Sequence, residues 1–568
     1  MRNDIGAFRR SSLVVSALLV VLYIAARVWR LNASCLWFDE IFGVHAARHT
    51  WSGLWSFVAA DLIHPPLFYA LLKIWIALGG ESLEWLRLFP LLAAIACLVP
   101  FLLLARELRL GVFASNLALL LLAANGYLIK YAQEVRMYSL LLFFTLGSLW
   151  LFVRFLNGTG AARKFPYALM LCNLLLVYTH YYGWLVVGAQ AAFLLVKDRG
   201  KLKPFLPGAA TLVVCFAPWV YACATAAAAG EGGGLAQNIG WIERPSPSEL
   251  AQFYALLHEP FYFRQSSHEP LYARWGAYAG FLLLALPVAL LALRELRNTA
   301  RGGVMTDESG AAHEGGTATD EGEVATDEGR VAIDESSAAH EGAAAREMTA
   351  RRFLLFFAFL PPAFAFLTSY VLPHSVWGTR HLIVAAAPYM MLAAVALGRL
   401  RRPWLKRMLL ALLCCWFFFA GVLTLVRREG THIWCAWETL APSLTRAETG
   451  QIRSPDVYAF EDLVAYHLWF ALNAEPGRFS VSVVKNVPGL REDPAYFLPR
   501  GFREVAVKDA SALEGERFWV AFRDTTWDEG REPLKLLKER GYRVERVFET
   551  TAQGQRAFLI QVRLAGGE

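Results

Sequence analysis

Apolar residues arrive along this chain in blocks of about 15–20, the length at which a helix crosses a bilayer. The blocks are Ser12–Val28, Phe89–Ala105, Val112–Ile129, Tyr138–Phe155, Phe165–Thr179, Trp184–Val196, Pro204–Cys223, Trp275–Leu293, Phe353–Val371, Leu382–Leu397 and Met408–Val426. The pattern predicts about eleven transmembrane helices. One further run, Leu67–Leu78, is shorter, contains Lys73, and lies between Pro65-Pro66 and Gly79-Gly80. Its length suits a helix lying in the membrane interface rather than crossing it.

Polar positions then orient the spans. Lys and Arg gather in alternate connections: Arg106 and Arg109; Arg154, Arg163 and Lys164; Lys197, Arg199, Lys201 and Lys203; Arg294, Arg297 and Arg301; and Arg399 through Arg407. Arg2, Arg9 and Arg10 precede the first span, which reads as an uncleaved anchor because it is long and further spans follow. The positive-inside rule places the N-terminus and all these connections in the cytoplasm. An odd number of spans leaves everything after residue 426 outside. Counting Leu67–Leu78 as a span would invert the later loops and put the Arg-rich ones outside.

Two segments lack the membrane pattern. Residues 298–350 hold acidic near-repeats (TDESGAAHEG, ATDEG, IDESSAAHEG), rich in Ala, Gly and Glu. That composition cannot bury enough apolar surface to offset ordering entropy, and predicts a disordered cytoplasmic loop inserted in a domain spanning residues 1–426. Residues 427–568 alternate between strand-like and helix-like stretches: Val457–Phe460, Glu461–Asn473, Phe479–Val484, Glu504–Val507, Phe518–Phe522, Glu532–Arg540, Arg543–Phe548 and Arg556–Arg563. They predict a small extracytoplasmic α/β domain.

Composition sharpens this reading. The 568 residues are 56% hydrophobic and only 18% charged, against roughly 25% charged for a soluble domain. A coiled coil, bulk disorder and a nucleic-acid-binding module are excluded for most of the chain. The eight cysteines show no CxxC spacing and mostly sit in apolar runs, where Cys behaves as a small buried hydrophobe.

The span interiors hold almost no ionisable residues, which weighs against an ion-coupled transporter. The unusual polar residues collect in the connections on the outer face. These are Trp37-Phe38-Asp39-Glu40, then Asp61 and His64-Pro65-Pro66, then Tyr131 to Tyr138 with Glu134 and Arg136, then Thr179-His180-Tyr181-Tyr182, and finally Thr379-Arg380-His381. Each alone has a plain explanation: a solvated loop end, a helix start, an interfacial ion pair, a cap. Five distant stretches meeting on one membrane face predict a binding or active site at the outer leaflet. A fourth outer connection carries His258-Glu259-Pro260 and His268-Glu269-Pro270, either an acceptor entrance or an ordered surface loop.

The stretches WFDE, HPPL, YAQEVRMY, THYYG and Arg380-His381 resemble the motifs of the GT-C membrane glycosyltransferases. The likeness is to the bacterial branch similar to protein mannosyltransferases, and it covers roughly residues 10–400. Related chains often have Arg-Tyr where this one has Arg380-His381.

The resemblance implies a polytopic α-helical fold in the bacterial inner membrane. It implies transfer of a sugar from a polyprenyl-phosphate donor to a glycan, lipid or protein acceptor outside the cytoplasm. It implies Asp39 as general base, with Glu40 orienting it or the acceptor. It implies a donor phosphate or sugar site among His64, Glu134, Arg136, His180, Tyr181, Arg380 and His381, in which Arg136 and Arg380 grip phosphate. Some relatives hold a divalent metal near these acids, for which Asp39, Glu134 and His64 are the candidate ligands here. The rival expectation is a flippase that carries the same lipid-linked sugars without transferring them.

Overall fold

A computed structural model of the chain describes residues 2–158, 165–229, 239–240, 242–261, 280, 282–295, 297, 350–426, 432–449, 455–473, 477–488, 490 and 502–565. Among these, six helices are long and apolar enough to cross a membrane: Leu83–Glu107, Tyr138–Asn157, Arg199–Ala228, Ala350–Val371, Thr379–Gly398 and Pro403–Val426. Shorter apolar helices occupy Ser12–Val28, Leu67–Gly79, Val112–Ala124, Tyr167–Thr179 and Gly183–Lys197. Every predicted span except Trp275–Leu293 has its helix among these, and that block lies partly outside the described residues. The acidic insert at 298–350 lies outside them apart from Ala350. The chain is a multi-pass membrane protein. Leu18, Val213, Phe418 and Val426 stand exposed on the apolar helices, as residues that face lipid rather than water do.

Polar groups inside the bundle are satisfied by one another. Ser148, Asn173 and Gln190 form a closed ring of hydrogen bonds at 2.6, 2.8 and 2.6 Å across three helices, the kind of polar link that joins helices in lipid. Arg27, near the end of helix α1 (Arg2–Val28), donates to the carbonyls of Tyr23 and Leu122 at 3.0 Å and lies over the Tyr23 ring.

The connection that follows α1 is more ordered than the sequence suggests. It folds into three helices: α2 (Phe38–Arg48), α3 (Trp51–Asp61) and α4 (Leu67–Gly79). The Thr50 hydroxyl caps α3 by accepting from the Gly53 amide at 3.1 Å. Residues Glu40 to Ala47 of α2 are all buried, so no polar face exists to mark its period. The charge within α4 has a job. The Lys73 ammonium donates to the carbonyls of Ala47 and His49 at 3.1 and 2.6 Å, closing the C-terminal end of α2, where orphan carbonyls and the helix dipole favour a cation.

Beyond the last span, six strands form one sheet: β1 (Asp456–Ala459), β2 (Ser480–Lys485), β3 (Ala506–Asp509), β4 (Arg517–Asp524), β5 (Tyr542–Ala552) and β6 (Gln555–Leu564). Their order is β3-β2-β1-β4-β6-β5. The first four run parallel and β6 runs antiparallel to β4 and β5. Each strand coincides with a strand-like stretch of the sequence. A two-residue turn, Gln553-Gly554, joins β5 to β6 with both residues at positive φ, the hairpin geometry that Gly tolerates. Helices Ala436–Ala447 and Asp462–Leu472 cover one sheet face and merge its core with that of the membrane helices. The other face builds a separate core around Tyr458, Val520 and Ile560.

Cys35, just before α2, and Cys435, just before Ala436–Ala447, form a disulfide. This corrects the reading of the cysteines as buried hydrophobes for these two residues; among the described residues the other six are free.

Candidate active site

The site is built at the N-terminus of α2. Asp39 and Glu40 occupy its first turn, where unpaired amides and the helix dipole favour carboxylates. The two acids then diverge. Glu40 is buried, and its oxygens accept from the amides of Trp37 at 3.0 Å and Val135 at 2.7 Å. It ties α2 to the segment following residue 133. Burial, added to by Glu134 and opposed by Arg87, pushes its carboxyl up to about 7. Both of its oxygens thus hold backbone amides, which fixes the first turn of α2, where Asp39 stands, against the segment that carries Arg136.

Asp39 faces two guanidiniums. Its Oδ2 accepts from Arg380 Nη1 at 3.0 Å and lies 3.9 Å from Arg136 Nη2. Burial acts to raise its pKa, but Arg136 and Arg380 outweigh it and hold the carboxyl below the usual carboxylate range. Asp39 is therefore ionised at neutral pH. Arg136 is locked in place: Nη1 donates to the Asp39 carbonyl at 2.9 Å and approaches the Tyr69 hydroxyl at 3.4 Å, while Nη2 lies 3.3 Å from His64 Nε2. The side chains of Asp39 and Arg380 are 21% and 30% exposed, against 2% for Arg136. A ligand can reach the first two and only feels the field of the third. The Tyr127 hydroxyl fixes the Arg380 backbone by donating to the carbonyls of Thr379 and Arg380 at 2.8 and 3.1 Å.

Beside this triad three histidines converge from three segments. Ring centroids of His180 and His381 are 4.5 Å apart, and those of His64 and His180 are 5.5 Å apart. Ligand atoms of His64, His180 and His381 all lie within 4.8 Å of one another. His180 Nδ1 accepts from the Tyr182 amide at 3.1 Å, which orients the ring. Among the described residues the Nε2 atoms of His180 and His381 have no hydrogen-bond partner. Burial and the Arg136 charge drive the pKa of His64 well below its usual value, and burial with His64 and Arg136 does the same for His180. These imidazoles are neutral, the form in which histidine binds zinc or a similar divalent ion; in the arrangement seen, the Tyr182 amide takes the His180 Nδ1 lone pair and Arg136 faces His64 Nε2. The acids expected to bind a metal are occupied elsewhere: Asp39 by the arginines, and Glu134 by Lys130 at 3.4 Å. Of the expected ligands only His64 belongs to the cluster.

Tyr181 turns away from it. Its hydroxyl accepts from Trp219 Nε1 at 3.0 Å beside Cys223. The neighbouring Tyr182 takes the place expected of Tyr181, with its ring 5.3 Å from His180 and 5.1 Å from His381. Tyr69 and Tyr138 also line the site and were not singled out from the sequence. Tyr69 lies five residues beyond His64 on the same helix start, a register that the HPPLFY stretch contains. His258 and Glu259 are buried, with His258 Nε2 3.1 Å from the Tyr389 hydroxyl, so they pack inside rather than flank an entrance. His268-Glu269-Pro270 lies outside the described residues.

No protein-family model matches the sequence, and no curated protein matches it. Solved structures do. ArnT from Cupriavidus metallidurans, bound to undecaprenyl phosphate, superposes with a TM-score of 0.55 at 13% identity, covering 98% of this chain and 99% of its own. The same protein in the apo state gives 0.54 at 14% identity, over 99% and 100%. The archaeal oligosaccharyltransferase AglB from Archaeoglobus fulgidus, in complex with an inhibitory peptide and a dolichol-phosphate, gives only 0.43 at 12% identity, over 82% and 64%. The likeness to ArnT covers nearly the whole of both chains, and this chain therefore has a fold like that of ArnT.

Proposed function

We propose that this chain is a glycosyltransferase that moves a sugar from a polyprenyl-phosphate carrier to an acceptor hydroxyl outside the cytoplasm, inverting the anomeric carbon. One observation carries the reading. A reachable carboxylate, Asp39, and a reachable guanidinium, Arg380, stand 3.0 Å apart although 341 residues separate them. A second guanidinium, Arg136, is buried behind them. The undecaprenyl phosphate bound by ArnT supports a lipid phosphate as the ligand of this fold.

The chemistry follows from the charges. The acceptor oxygen attacks the anomeric carbon on the face opposite the phosphate. As that bond forms, the hydroxyl proton passes to the Asp39 carboxylate. The bond between the anomeric carbon and the phosphate oxygen breaks, and its electron pair leaves with the polyprenyl phosphate. Arg380 meets the leaving oxygens and Arg136 adds its field, in a site where low dielectric strengthens both. Arg136 also holds the Asp39 main chain, so the base and the phosphate site are set by one side chain. Bound at His64, His180 and His381, a divalent ion would supply Lewis acidity toward a phosphate oxygen.

The disulfide supports an outward-facing site. Such bonds persist in oxidising compartments, and Cys35 lies four residues before Asp39. The alternation of Lys and Arg puts the same connection outside the cytoplasm.

The test is transfer by the purified chain in nanodiscs, offered radiolabelled undecaprenyl-phosphate mannose, glucose or galactose and an extract of envelope glycans and lipids. Asp39→Asn should lose at least ~10²-fold in rate while keeping the thermal transition of the wild-type chain. Wild-type rates from Asp39→Asn would remove Asp39 as base. Label that crosses a proteoliposome bilayer with no acceptor labelled would make the chain a flippase.

A further inference from the structure

We infer that the C-terminal domain is the positioning device for Asp39, acting through two attachments to α2: the Cys35–Cys435 disulfide ahead of the helix and the Tyr466–His45–Glu504 hydrogen bonds on its far half. This rests on the transferase reading of Asp39. Helix α2 has 11 residues, about 16 Å of length at 1.5 Å per residue. Its first turn carries the base, so a small tilt of the helix moves Asp39 relative to Arg380.

The first attachment is covalent. The Cα atoms of Cys35 and Cys435 are 5.3 Å apart, and the Phe38 ring rests edge-on against Tyr466 at 5.1 Å. The second lies two turns further on. His45 Nε2 meets Glu504 Oε1 at 2.9 Å, and His45 Nδ1 meets the Tyr466 hydroxyl at 3.3 Å. His45 belongs to the membrane portion; both its partners belong to the C-terminal domain. Burial lowers the pKa of this imidazole, against the pull of Glu504. The ring is boxed by Trp469 at 5.0 Å and Phe502 at 4.8 Å. Tyr466, on the helix Asp462–Leu472, touches α2 at both ends, through the Phe38 ring and through His45. A domain needed only as a cap could leave α2 alone. Here it grips the helix that bears the base before its first turn and again near its last. Cys35, Cys435, Tyr466, His45 and Glu504 are positioning residues, since none of them touches the reacting atoms.

The experiment uses the full chain in nanodiscs and reads two quantities. The first, hydrogen–deuterium exchange in the peptide covering residues 37–48, needs no substrate. The second is the split between kcat and KM with whichever labelled undecaprenyl-phosphate hexose the wild-type chain turns over. Glu504→Ala should speed exchange in residues 37–48 while leaving the membrane helices protected. It should lower kcat about tenfold, the scale on which sub-ångström misplacement acts, with donor KM within about twofold. Glu504→Gln keeps an acceptor for His45 and should restore most of both. Cys435→Ser should act in the same direction, and combined with Glu504→Ala should cost more than the product of the two. The exchange change should persist in an Asp39→Asn background, where no rate is left to lose. Unchanged exchange at 37–48 in Glu504→Ala and in Cys435→Ser overturns the inference, as does a loss of rate expressed in KM alone. A wild-type chain that transfers none of the sugars overturns the transferase reading, while the exchange data still decide whether the domain holds α2.

Discussion

Among the described residues two histidine-containing groups have ligand atoms close together, His45–His49–Glu504 and His64–His180–His381, and they are built on opposite plans. In one, His45 has both ring nitrogens engaged, by Glu504 and Tyr466, inside an aromatic box. In the other, His180 and His381 keep their Nε2 atoms without a partner among the described residues, next to two arginines and an ionised aspartate. A buried nitrogen left unpaired costs stability, on the order of 1–3 kcal/mol. A protein keeps such a group where it does something other than hold the fold. The first cluster is a joint. The second is a candidate for binding, and residue type alone would not have told them apart.

Breaking the second cluster should have the larger effect. Arg380→Ala removes the reachable cation beside Asp39 and should lower transfer by about 10²–10³-fold, as the loss of a charge-stabilising donor does; initial rates at saturating donor check it. Next, the paired substitution His180→Gln and His381→Gln should abolish retention of zinc, measured by mass spectrometry of the metal after loading and gel filtration. The wild-type chain should retain about one ion per chain, as one three-histidine cluster allows. Wild-type protein that retains none removes the metal from the site. His45→Phe, by contrast, should leave zinc retention unchanged and lower kcat about tenfold, because it fills the box and loses only the two hydrogen bonds. Zinc lost equally from His45→Phe would erase the distinction between the clusters.

The smallest effect concerns the acid between them. Glu40 is pushed up to about 7 from an ordinary 4.5, so the folded chain binds its proton more tightly than the unfolded chain does. Its contribution to stability is complete below the ordinary value and is lost as pH rises through 7. The thermal transition should fall by a few degrees between about pH 5 and pH 8, and Glu40→Gln should flatten that fall. An equal fall in Glu40→Gln would trace it to other groups.

How far could the sequence be read? The membrane helices were legible because lipid imposes a length and a composition that few other structures share. The strands after residue 456 were legible because their apolar residues form short blocks between turn residues. Helix α2 was not, since a short helix buried from Glu40 to Ala47 on every side carries no 3.6-residue contrast. The site was half legible. Asp39, Arg136 and Arg380 stood out as charges in a chain that has few, and the structure brings them together. Choosing Tyr181 over Tyr182 failed because adjacent residues at a helix junction point in different directions, and only the packing of His180 fixes which one faces inward. The metal candidates illustrate another limit: acids attract attention in sequence, but here arginine and lysine already hold Asp39 and Glu134, and of the three candidates only His64 joins the histidine cluster. The disulfide left one signal that went unread. Cys35 and Cys435 lie outside the apolar spans, in segments expected on the same side of the membrane, unlike the cysteines within the spans.

The disulfide also orders the events of the protein's making. The bond spans 400 residues, and every membrane helix after α1 lies between its two ends. It cannot form until Pro403–Val426 has been made and the segment carrying Cys435 has been brought to Cys35. Helix α2, inserted near the start of translation, is thus secured only near the end. A nascent chain carries Asp39 on an untethered helix, so the covalent ring works as a proof of completion: the helix that bears Asp39 is tied down only after Pro403–Val426 has been made.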